Sequence, residues 1–246
     1  MAQIIPLLEG SFTVDKSKAF HPFDTEKDNL QERPHGSLLV EVQPFLLKTA
    51  EENIVIDTGL GFEKDGLLQL HYNLIENGVQ PEDVDKVLMS HLHKDHTGGM
   101  SKINEEGEKE LSFPNATYYI NKKELDYALD NIGSSYVEEQ LTILVDHPQV
   151  TFFDGDGEIN SSISHKLSGG HCPYHQVFWI KDDEDIYFYG GDVAPQYSQL
   201  KRRFIAKYDF DGRKSMELRQ EYLEKGKNKN WIFLFYHDIK TPFIQL

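Results

Sequence analysis

Apolar and polar positions along the chain alternate in short runs, and only a few stretches repeat with helical spacing. Runs rich in Val, Ile, Phe and Tyr, bounded by Gly, Pro and polar residues, predict strands at 3–8, 12–14, 37–42, 45–48, 53–57, 87–89, 116–120, 150–153, 163–167, 176–181, 186–189 and 231–236. Apolar residues at helical spacing predict helices at 67–76, 121–130, 132–146 and 216–226, with Asn121 as an N-cap. Strands that alternate with helices indicate the α/β (α+β) class.

Two polar segments interrupt this pattern. Residues 17–33 are rich in charged side chains and predict a loop that can lie over a site, and residues 101–111 predict an exposed, charged loop. No Pro-rich, Gly/Ser-rich or repeated segment marks a linker. The sequence therefore predicts a single domain over residues 1–246.

The composition indicates a folded protein with an acidic surface. Hydrophobic residues make up 39% of the 246 residues, which is enough for a substantial core. Asp and Glu number 41 against 25 Lys and Arg, so the formal net charge is −16. Such a surface repels nucleic acid backbones and anionic membranes. We therefore expect neither nucleic acid nor a membrane as a partner.

The single cysteine and the absence of long apolar runs bear on the compartment. Cys172 has no second cysteine to pair with, so an intrachain disulfide is excluded, as is usual in a reducing cytoplasm. The first residues lack the charged and apolar regions of a signal peptide, and the longest apolar runs are far shorter than a membrane span. The sequence predicts a cytoplasmic protein.

One stretch, KVLMSHLHKDHTGGM at residues 86–100, concentrates the candidate chemistry. It holds His91, His93, Asp95 and His96 directly after a strand-like run. Imidazole nitrogens and carboxylate oxygens are typical ligands of zinc and neighbouring transition metals. Four such side chains within six residues do not converge easily on one tetrahedral centre. Two adjacent ions are the simpler solution, with His91 and His93 on one ion and Asp95 and His96 on the other. The alternative is a polar loop that is merely rich in histidine.

The order H-x-H-x-D-H after a short apolar strand resembles the metallo-β-lactamase superfamily. The resemblance implies a four-layer αββα sandwich and further ligands downstream, and the matching motifs are NIVIDTG at 53–59, SGGHCPYH at 168–175, YGGDV at 189–193 and FLFYHD at 233–238. By this resemblance, His171 supplies the third imidazole of the first metal and Asp192 bridges both metals. His237 binds the second metal, and Asp57 steadies the loop that carries the ligands.

The motifs also depart from the family pattern in informative ways. Tyr174 stands where the family has the last glycine of the histidine loop, and His175 aligns with a histidine that is usually not a ligand. Cys172 is an alternative ligand beside His171, although a free cysteine is more often a small packed residue. Enzymes that hydrolyse β-lactams by the commonest dinuclear route carry Cys at the position of Asp192, so Asp192 favours the wider hydrolase group.

The ligand set predicts metal-assisted hydrolysis. Two divalent ions would share a bridging hydroxide as the nucleophile, with Zn²⁺ as the first candidate and Mn²⁺, Fe²⁺ or Co²⁺ able to bind the same ligands. Asp95 would pass a proton to the leaving group, so Asp95 and Asp192 are the candidate catalytic carboxylates.

The spacing of the candidate ligands along the chain indicates a substrate class. A long segment separates His96 from His171 and few residues follow His237, which resembles the N-acyl-homoserine lactonase and methyl parathion hydrolase branch. We therefore expect a small-molecule ester, lactone or phosphoester as substrate. Tyr197 is a candidate to assist the substrate carbonyl, although it lies further from Asp192 than in the lactonases. A basic cluster, Lys201, Arg202, Arg203 and Lys207, is either a solvated surface or a clamp for an anionic group.

Two other functions stay open at this point. One is a mononuclear iron dioxygenase of the same superfamily acting on thiol or persulfide substrates, whose members do not use the equivalents of His96 and His237 as ligands. The other is a non-catalytic binding or scaffold protein on this fold, whose members typically lose ligands. A homodimer is also plausible.

Overall fold

Two six-stranded sheets dominate the fold in the computed structural model, which describes residues 2–246. The first, here called the N-terminal sheet, contains in spatial order Gln3–Pro6, Phe45–Lys48, Asn53–Ile56, Lys86–Leu88, Thr117–Asn121 and Val150–Phe153. The second, the C-terminal sheet, contains Gly157–Glu158, Ile163–Leu167, Gln176–Asp182, Asp185–Tyr189, Ile232–Leu234 and Phe243–Gln245. Each sheet is therefore built from one half of the chain.

Parallel pairing within each sheet brings the candidate site together. The four strands from Asn53–Ile56 to Val150–Phe153 are parallel neighbours in the N-terminal sheet. In the C-terminal sheet, Asp185–Tyr189 and Ile232–Leu234 are parallel. Loops that follow the carboxyl ends of parallel strands meet at one edge of a sheet, where α/β proteins usually bind ligands.

Alternating side chains on these strands build three apolar cores. Phe45 and Leu47 face the core between the sheets, whereas Leu46 faces the helices outside the N-terminal sheet. In the C-terminal sheet, Phe178 faces the core between the sheets and Val177 packs towards the long helix outside. Helix, sheet, sheet and helix thus form four layers, which confirms the predicted αββα sandwich.

The helices and smaller elements complete the fold. The α-helices are Gln69–Glu76, Lys94–Thr97, Lys122–Asp130, Glu138–Leu141, Tyr197–Leu200 and Gly212–Lys229, and the 3₁₀ turns are Leu30–Glu32, Pro81–Asp83, Gly98–Met100, Thr142–Leu144 and Gly191–Val193. A three-stranded sheet joins Phe20–Pro22, Gly10–Val14 and Leu38–Val42, and two hairpins pair Glu63–Lys64 with Leu67–Leu68 and Ser101–Ile103 with Lys109–Leu111. Within residues 2–246, no helix has the length and apolar character needed to cross a bilayer.

Several predicted elements differ from the observed ones. The loop expected at 101–111 is a hairpin, and the helix expected over 132–146 is reduced to one short helix and a 3₁₀ turn. The final helix is longer than expected, because Asp211 caps its first turn and Asn230, in the left-handed region at φ 52°, ends it. The N-cap at Asn121 is confirmed, since its side chain accepts a hydrogen bond from Glu124 N.

Candidate metal site

Loops at the carboxyl ends of the parallel strands bring the seven predicted ligands into one cluster. His91 follows strand Lys86–Leu88, and the short helix Lys94–Thr97 carries Asp95 and His96. In the other half of the chain, Asp192 and His237 follow the parallel strands Asp185–Tyr189 and Ile232–Leu234. Each half therefore supplies ligands that its own sheet holds in place.

Three imidazole nitrogens form the first ligand group, His91, His93 and His171. His93 Nδ1 lies 3.0 Å from both His91 Nε2 and His171 Nε2. These separations are slightly shorter than the roughly 3.4 Å expected between ligands of one tetrahedral Zn²⁺ with bonds of about 2.1 Å. The three nitrogens can therefore hold a single ion with little rearrangement.

The second ligand group consists of Asp95, His96 and His237. Asp95 Oδ2 lies 3.7 Å from His96 Nε2 and 3.5 Å from His237 Nε2. Each group combines two residues of the histidine motif with one histidine from the C-terminal half. A third cluster, Asp57, His91 and His96, joins the two groups, so the division of the motif between two ions stays a prediction.

Asp192 lies between the two groups. Its Oδ2 is 3.3 Å from His171 Nε2 in the first group, and its Oδ1 is 3.3 Å from His96 Nε2 and 3.2 Å from His237 Nε2 in the second. One carboxylate oxygen thus faces each group, which is the position that a bridging ligand needs.

Hydrogen bonds at the far side of each ring determine which nitrogen faces the site. Nδ1 of His96 contacts Asp57 Oδ2 at 2.7 Å, Nδ1 of His171 contacts Asp209 Oδ1 at 3.0 Å, and Nδ1 of His237 contacts Glu41 O at 2.7 Å. These partners only accept, so each Nδ1 carries the proton in the neutral ring. Nε2 then presents its lone pair to the site, as a metal ligand must.

Asp57 is the centre of this supporting network. The side chain is fully buried, accepts from Ser90 N at 2.8 Å through Oδ1, and accepts from Ser90 Oγ and Tyr189 Oη at 2.6 Å through Oδ2. Because the Ser90 hydroxyl proton points to Asp57, the Ser90 oxygen accepts from His91 Nδ1, 3.0 Å away. Asp57 therefore orients His96 directly and His91 through Ser90, which agrees with its predicted steadying role.

Charges within the cluster shift the pKa of its members in opposite directions. Burial, together with the nearby His96 and His93, lowers the pKa of His91 well below its usual value. Burial alone would lower the pKa of His96, but the carboxylates of Asp192, Asp95 and Asp57 raise it well above its usual value. The three carboxylates therefore favour positive charge at the position of His96.

Two buried polar atoms test whether these residues fit a cation. His96 Nε2 and Asp192 Oδ1 are buried and make no hydrogen bond among the described residues, although they lie 3.3 Å apart. Buried polar atoms without a partner are costly and rare in native proteins. A cation between them would satisfy both atoms, so the donor set fits a metal ion.

The other two candidates in the histidine loop point away from the ligand groups. Asp192 N donates to His175 Nε2 at 3.1 Å, and His175 Nδ1 lies 2.6 Å from Ser168 Oγ, so both ring nitrogens are engaged. The thiol of Cys172 faces the carboxylate of Glu124 at 3.3 Å. His175 thus supports the backbone of Asp192, and Cys172 belongs to a separate buried cluster.

Tyr197 begins the short helix Tyr197–Leu200, where its backbone N–H donates to Asp238 Oδ2 at 2.8 Å. Its ring packs against that of Phe235, 5.7 Å away, and lies under the ammonium group of Lys201. No hydrogen bond joins the Tyr197 hydroxyl to the ligand groups within residues 2–246, and its contact with the substrate carbonyl stays a prediction.

The first two residues of the basic cluster, Lys201 and Arg202, lie beside a groove on the surface. Lys201 and Arg202 line a groove between the short helix and the long helix, together with Leu223 and Glu224. This groove contains none of the seven candidate ligands. The role of these two residues in an anion clamp therefore stays a prediction.

The segment 17–33 borders the site, as the polar pattern predicts. Lys18 Nζ donates to Ser135 Oγ, and the ammonium group of Lys94 lies 5.8 Å from the ring centroid of Phe20. Lys94 directly follows His93 in the chain, and its backbone N–H donates to Ser135 O at 2.8 Å. The segment therefore lies beside the first ligand group.

Asp209, whose carboxylate contacts Nδ1 of His171, was not predicted from the sequence. Its side chain is fully buried, and its Oδ2 lies 4.0 Å from Arg219 Nη1 on the long helix. Asp209 is far from His171 in the chain, and no motif surrounds it. The segment is fixed against the histidine loop by hydrogen bonds from Phe210 N to His171 O and from Asp211 N to Gly170 O.

The fold and this ligand arrangement define a family. Residues 39–237 match the family model described as the Metallo-beta-lactamase superfamily, and the chain belongs to that superfamily.

Among curated proteins, the N-acyl homoserine lactonase AiiA of Bacillus thuringiensis subsp. kurstaki is 25% identical over 231 residues, which cover 83% of this chain and 84% of AiiA. The N-acyl homoserine lactonase AttM of Azorhizobium caulinodans is 30% identical over 119 residues, but this match covers 42% of this chain and only 38% of AttM. The chain is thus similar to lactonases at low identity.

Solved structures share the fold over nearly the whole chain. A probable metal-dependent hydrolase from Staphylococcus aureus has a TM-score of 0.81 at 24% identity and covers 99% of this chain and 92% of its own. AidC, described as a dizinc quorum-quenching lactonase, has a TM-score of 0.72 at 20% identity and covers 98% of this chain and 89% of its own. At these identities the likeness shows the fold alone.

Proposed function

We propose that this protein is a hydrolase that uses two divalent metal ions, with zinc as the first candidate, to cleave an ester or lactone bond of a small molecule. The observation that carries the proposal is the position of Asp192, with one oxygen facing each of two complete ligand groups. The similarity to the lactonases AiiA and AttM supports the lactone as a substrate class.

The residues of the site have three roles: to bind the metal ions, to transfer a proton and to hold the ligand rings in place. When bound, two divalent ions would lower the pKa of a water molecule and polarise the substrate carbonyl. Asp95, 9% exposed, is placed to take the proton that the attacking water loses and return it to the leaving oxygen as the C–O bond breaks. Asp57 and Asp209 hold His96 and His171 in place throughout.

The metal content distinguishes this proposal from the dioxygenase alternative. Protein purified without chelator is expected to contain about two zinc or manganese ions per chain, because both ligand groups are complete. Elemental analysis measures this directly, and chelation should remove hydrolysis of lactones, aryl esters or phosphotriesters, with recovery on adding metal. About one iron per chain, with oxygen uptake on thiol or persulfide substrates, would instead support the mononuclear dioxygenase.

Tyr208 is a second candidate tyrosine for contact with the substrate. It is 37% exposed, its ring lies 6.0 Å from that of His171, and its hydroxyl accepts from Gln199 Nε2 at 3.1 Å. Burial raises the pKa of Tyr208 to about 12, so the hydroxyl keeps its proton at neutral pH. It can therefore donate a hydrogen bond to a substrate oxygen beside the first ligand group.

Replacing Tyr208 with phenylalanine is expected to lower kcat/KM about tenfold, the cost of one hydrogen bond worth about 1.4 kcal/mol in the transition state. Metal content should not change, since the hydroxyl contacts no ligand among the described residues. Tyr72→Phe is the matched control, because Tyr72 lies on helix Gln69–Glu76 with its ring under the ammonium group of Lys64, and it should retain the parent rate. Equal losses in both variants would show that Tyr208 has no special contact with substrate.

A further inference from the structure

A buried carboxylate lies behind the first ligand group and belongs to neither group. Glu124 is 1% exposed, on the first turn of helix Lys122–Asp130. Burial of a charged side chain is unfavourable unless hydrogen bonds compensate for the lost hydration. The partners of Glu124 therefore indicate why the residue is there.

Glu124 accepts hydrogen bonds from three different segments. Oε1 accepts from Leu92 N at 3.2 Å and from Tyr136 Oη at 3.0 Å. The thiol of Cys172 lies 3.3 Å from Oε1 and 3.4 Å from Oε2. One carboxylate thus joins a backbone amide, a phenol and a thiol, all of them buried.

Each of these partners is next to a residue of the first ligand group. Leu92 lies between His91 and His93 in the chain, and Cys172 directly follows His171. The ring of Tyr136 packs against that of His93 at 4.8 Å between centroids. The contacts of Glu124 therefore converge on the three segments that must keep His91, His93 and His171 at ligand distances.

We propose that Glu124 is a positioning residue that sets the spacing of His91, His93 and His171 and thereby determines the affinity of the first metal position. This inference rests on the proposed function, because it assumes that the first ligand group holds an ion. The second group has different supports, namely Asp57 behind His96 and the Glu41 carbonyl behind His237. Loss of Glu124 should therefore affect one metal position and spare the other.

Glu124 is fixed to the N-terminal sheet through the start of its helix. Its backbone N–H donates to the side chain of Asn121, which caps the helix at the end of strand Thr117–Asn121. That strand pairs in parallel with Lys86–Leu88, the strand that leads to His91. A metal site needs its ligands within about 0.5 Å of the productive geometry, and a residue fixed to the sheet can provide that precision.

Metal titration of Glu124→Gln and Glu124→Ala tests the proposal. Glutamine keeps the shape and one acceptor oxygen, whereas alanine removes all the contacts. We expect one of two Zn²⁺ or Co²⁺ binding steps to lose about 10-fold affinity in Glu124→Gln and about 100-fold in Glu124→Ala, the range for residues that support metal ligands. The remaining step should keep its parent affinity, and the Co²⁺ absorption spectrum should lose the contribution of one ion.

Two further variants separate positioning from a general loss of stability. Glu9→Gln alters another buried carboxylate, which accepts from Leu60 N and Gly61 N and lies close enough to Asp95 of the second group for their charges to interact, so the affinity of the first metal position should be unchanged. Tyr136→Phe keeps the ring against His93 but removes one hydrogen bond to Glu124. Its effect should be smaller than that of Glu124→Gln and not additive with it, because both act through the same contact.

The outcomes separate this inference from the proposed function. If the parent protein binds fewer than two ions, the proposed function fails, and this inference fails with it. If the parent binds two ions and folded Glu124→Gln binds both with parent affinity, Glu124 does not position the ligands and only this inference is overturned. Should Glu124→Ala fail to fold, Glu124→Gln alone decides the question.

Discussion

Asp192→Ala is expected to abolish hydrolysis and to reduce the metal content below two ions per chain. The two oxygens of Asp192 face both ligand groups, so its removal would take one ligand from each proposed metal position. The expected loss of activity is more than about 100-fold, since changes to residues that merely support ligands already cost about 10–100-fold. Elemental analysis and steady-state rates measure the two effects separately.

The surroundings of Asp192 predict a second consequence of the substitution. Burial would raise the pKa of Asp192, but the charges of His237, His171 and His96 hold it well below its usual value. Without this carboxylate, the metal-free site loses the charge that most raises the pKa of His96 and of His237. Nuclear magnetic resonance titration of the metal-free variant should therefore show both rings releasing their protons at lower pH than in the parent.

Asp192→Asn and Asp126→Ala control for shape and for general surface charge. Asparagine has the same size but offers one oxygen, so it should bind less metal than the parent and more than the alanine variant. Asp126 lies on an exposed helix surface beside Lys122, and its loss should change neither quantity. Near-parent activity in Asp192→Ala would refute the bridging role.

Asp57→Ala is expected to give the largest loss of stability, about 3–5 kcal/mol in the free energy of unfolding, as for one partner removed from a buried ionic contact. The substitution leaves Ser90, His96 and Tyr189 without their acceptor in a buried site. The backbone of residue 57 also lies in the left-handed region at φ 53°, which alanine adopts less readily than aspartate or asparagine. Denaturant unfolding of the metal-free protein measures this loss without a contribution from bound ions.

Asp57→Asn is the matched variant for this prediction. Asparagine tolerates the left-handed backbone, and its oxygen can still accept the three hydrogen bonds at the position of Oδ2, while its amide group faces Ser90 N. The expected loss is about 1–3 kcal/mol, the cost of one unsatisfied buried group. If asparagine destabilised the protein as much as alanine, the carboxylate charge and not the hydrogen-bond geometry would be the main contribution of Asp57.

The residues of the histidine motif could be predicted from the sequence because they are close together in the chain. His91, His93, Asp95 and His96 lie within six residues, and this spacing predicts that they divide between two ions. His171, Asp192 and His237 follow from the resemblance to a known superfamily, since nothing local shows that their loops meet. The apolar pattern predicts the α/β (α+β) class, and the αββα layers follow from the same resemblance.

The supporting residues could not be predicted in the same way. Asp209 and Glu124 act through contacts with loops that are distant in the chain, and an isolated acidic residue looks like a solvated one in the sequence. The surroundings of Tyr197 were equally hidden in the sequence. Its distance along the chain from Asp192 does not show that its ring packs against Phe235.

Each ligand group takes side chains from both sheets, and this has a consequence for how the protein holds together. Bound ions would act as cross-links between two halves of the chain whose sheets otherwise adhere through the apolar core between them. An ion that binds only the assembled protein adds about 2.7 kcal/mol to its stability at a free concentration one hundred times the Kd. The metal supply would then govern the lifetime of the folded chain as well as its chemistry. A shortage of metal would lower the amount of folded protein as well as the activity of each molecule.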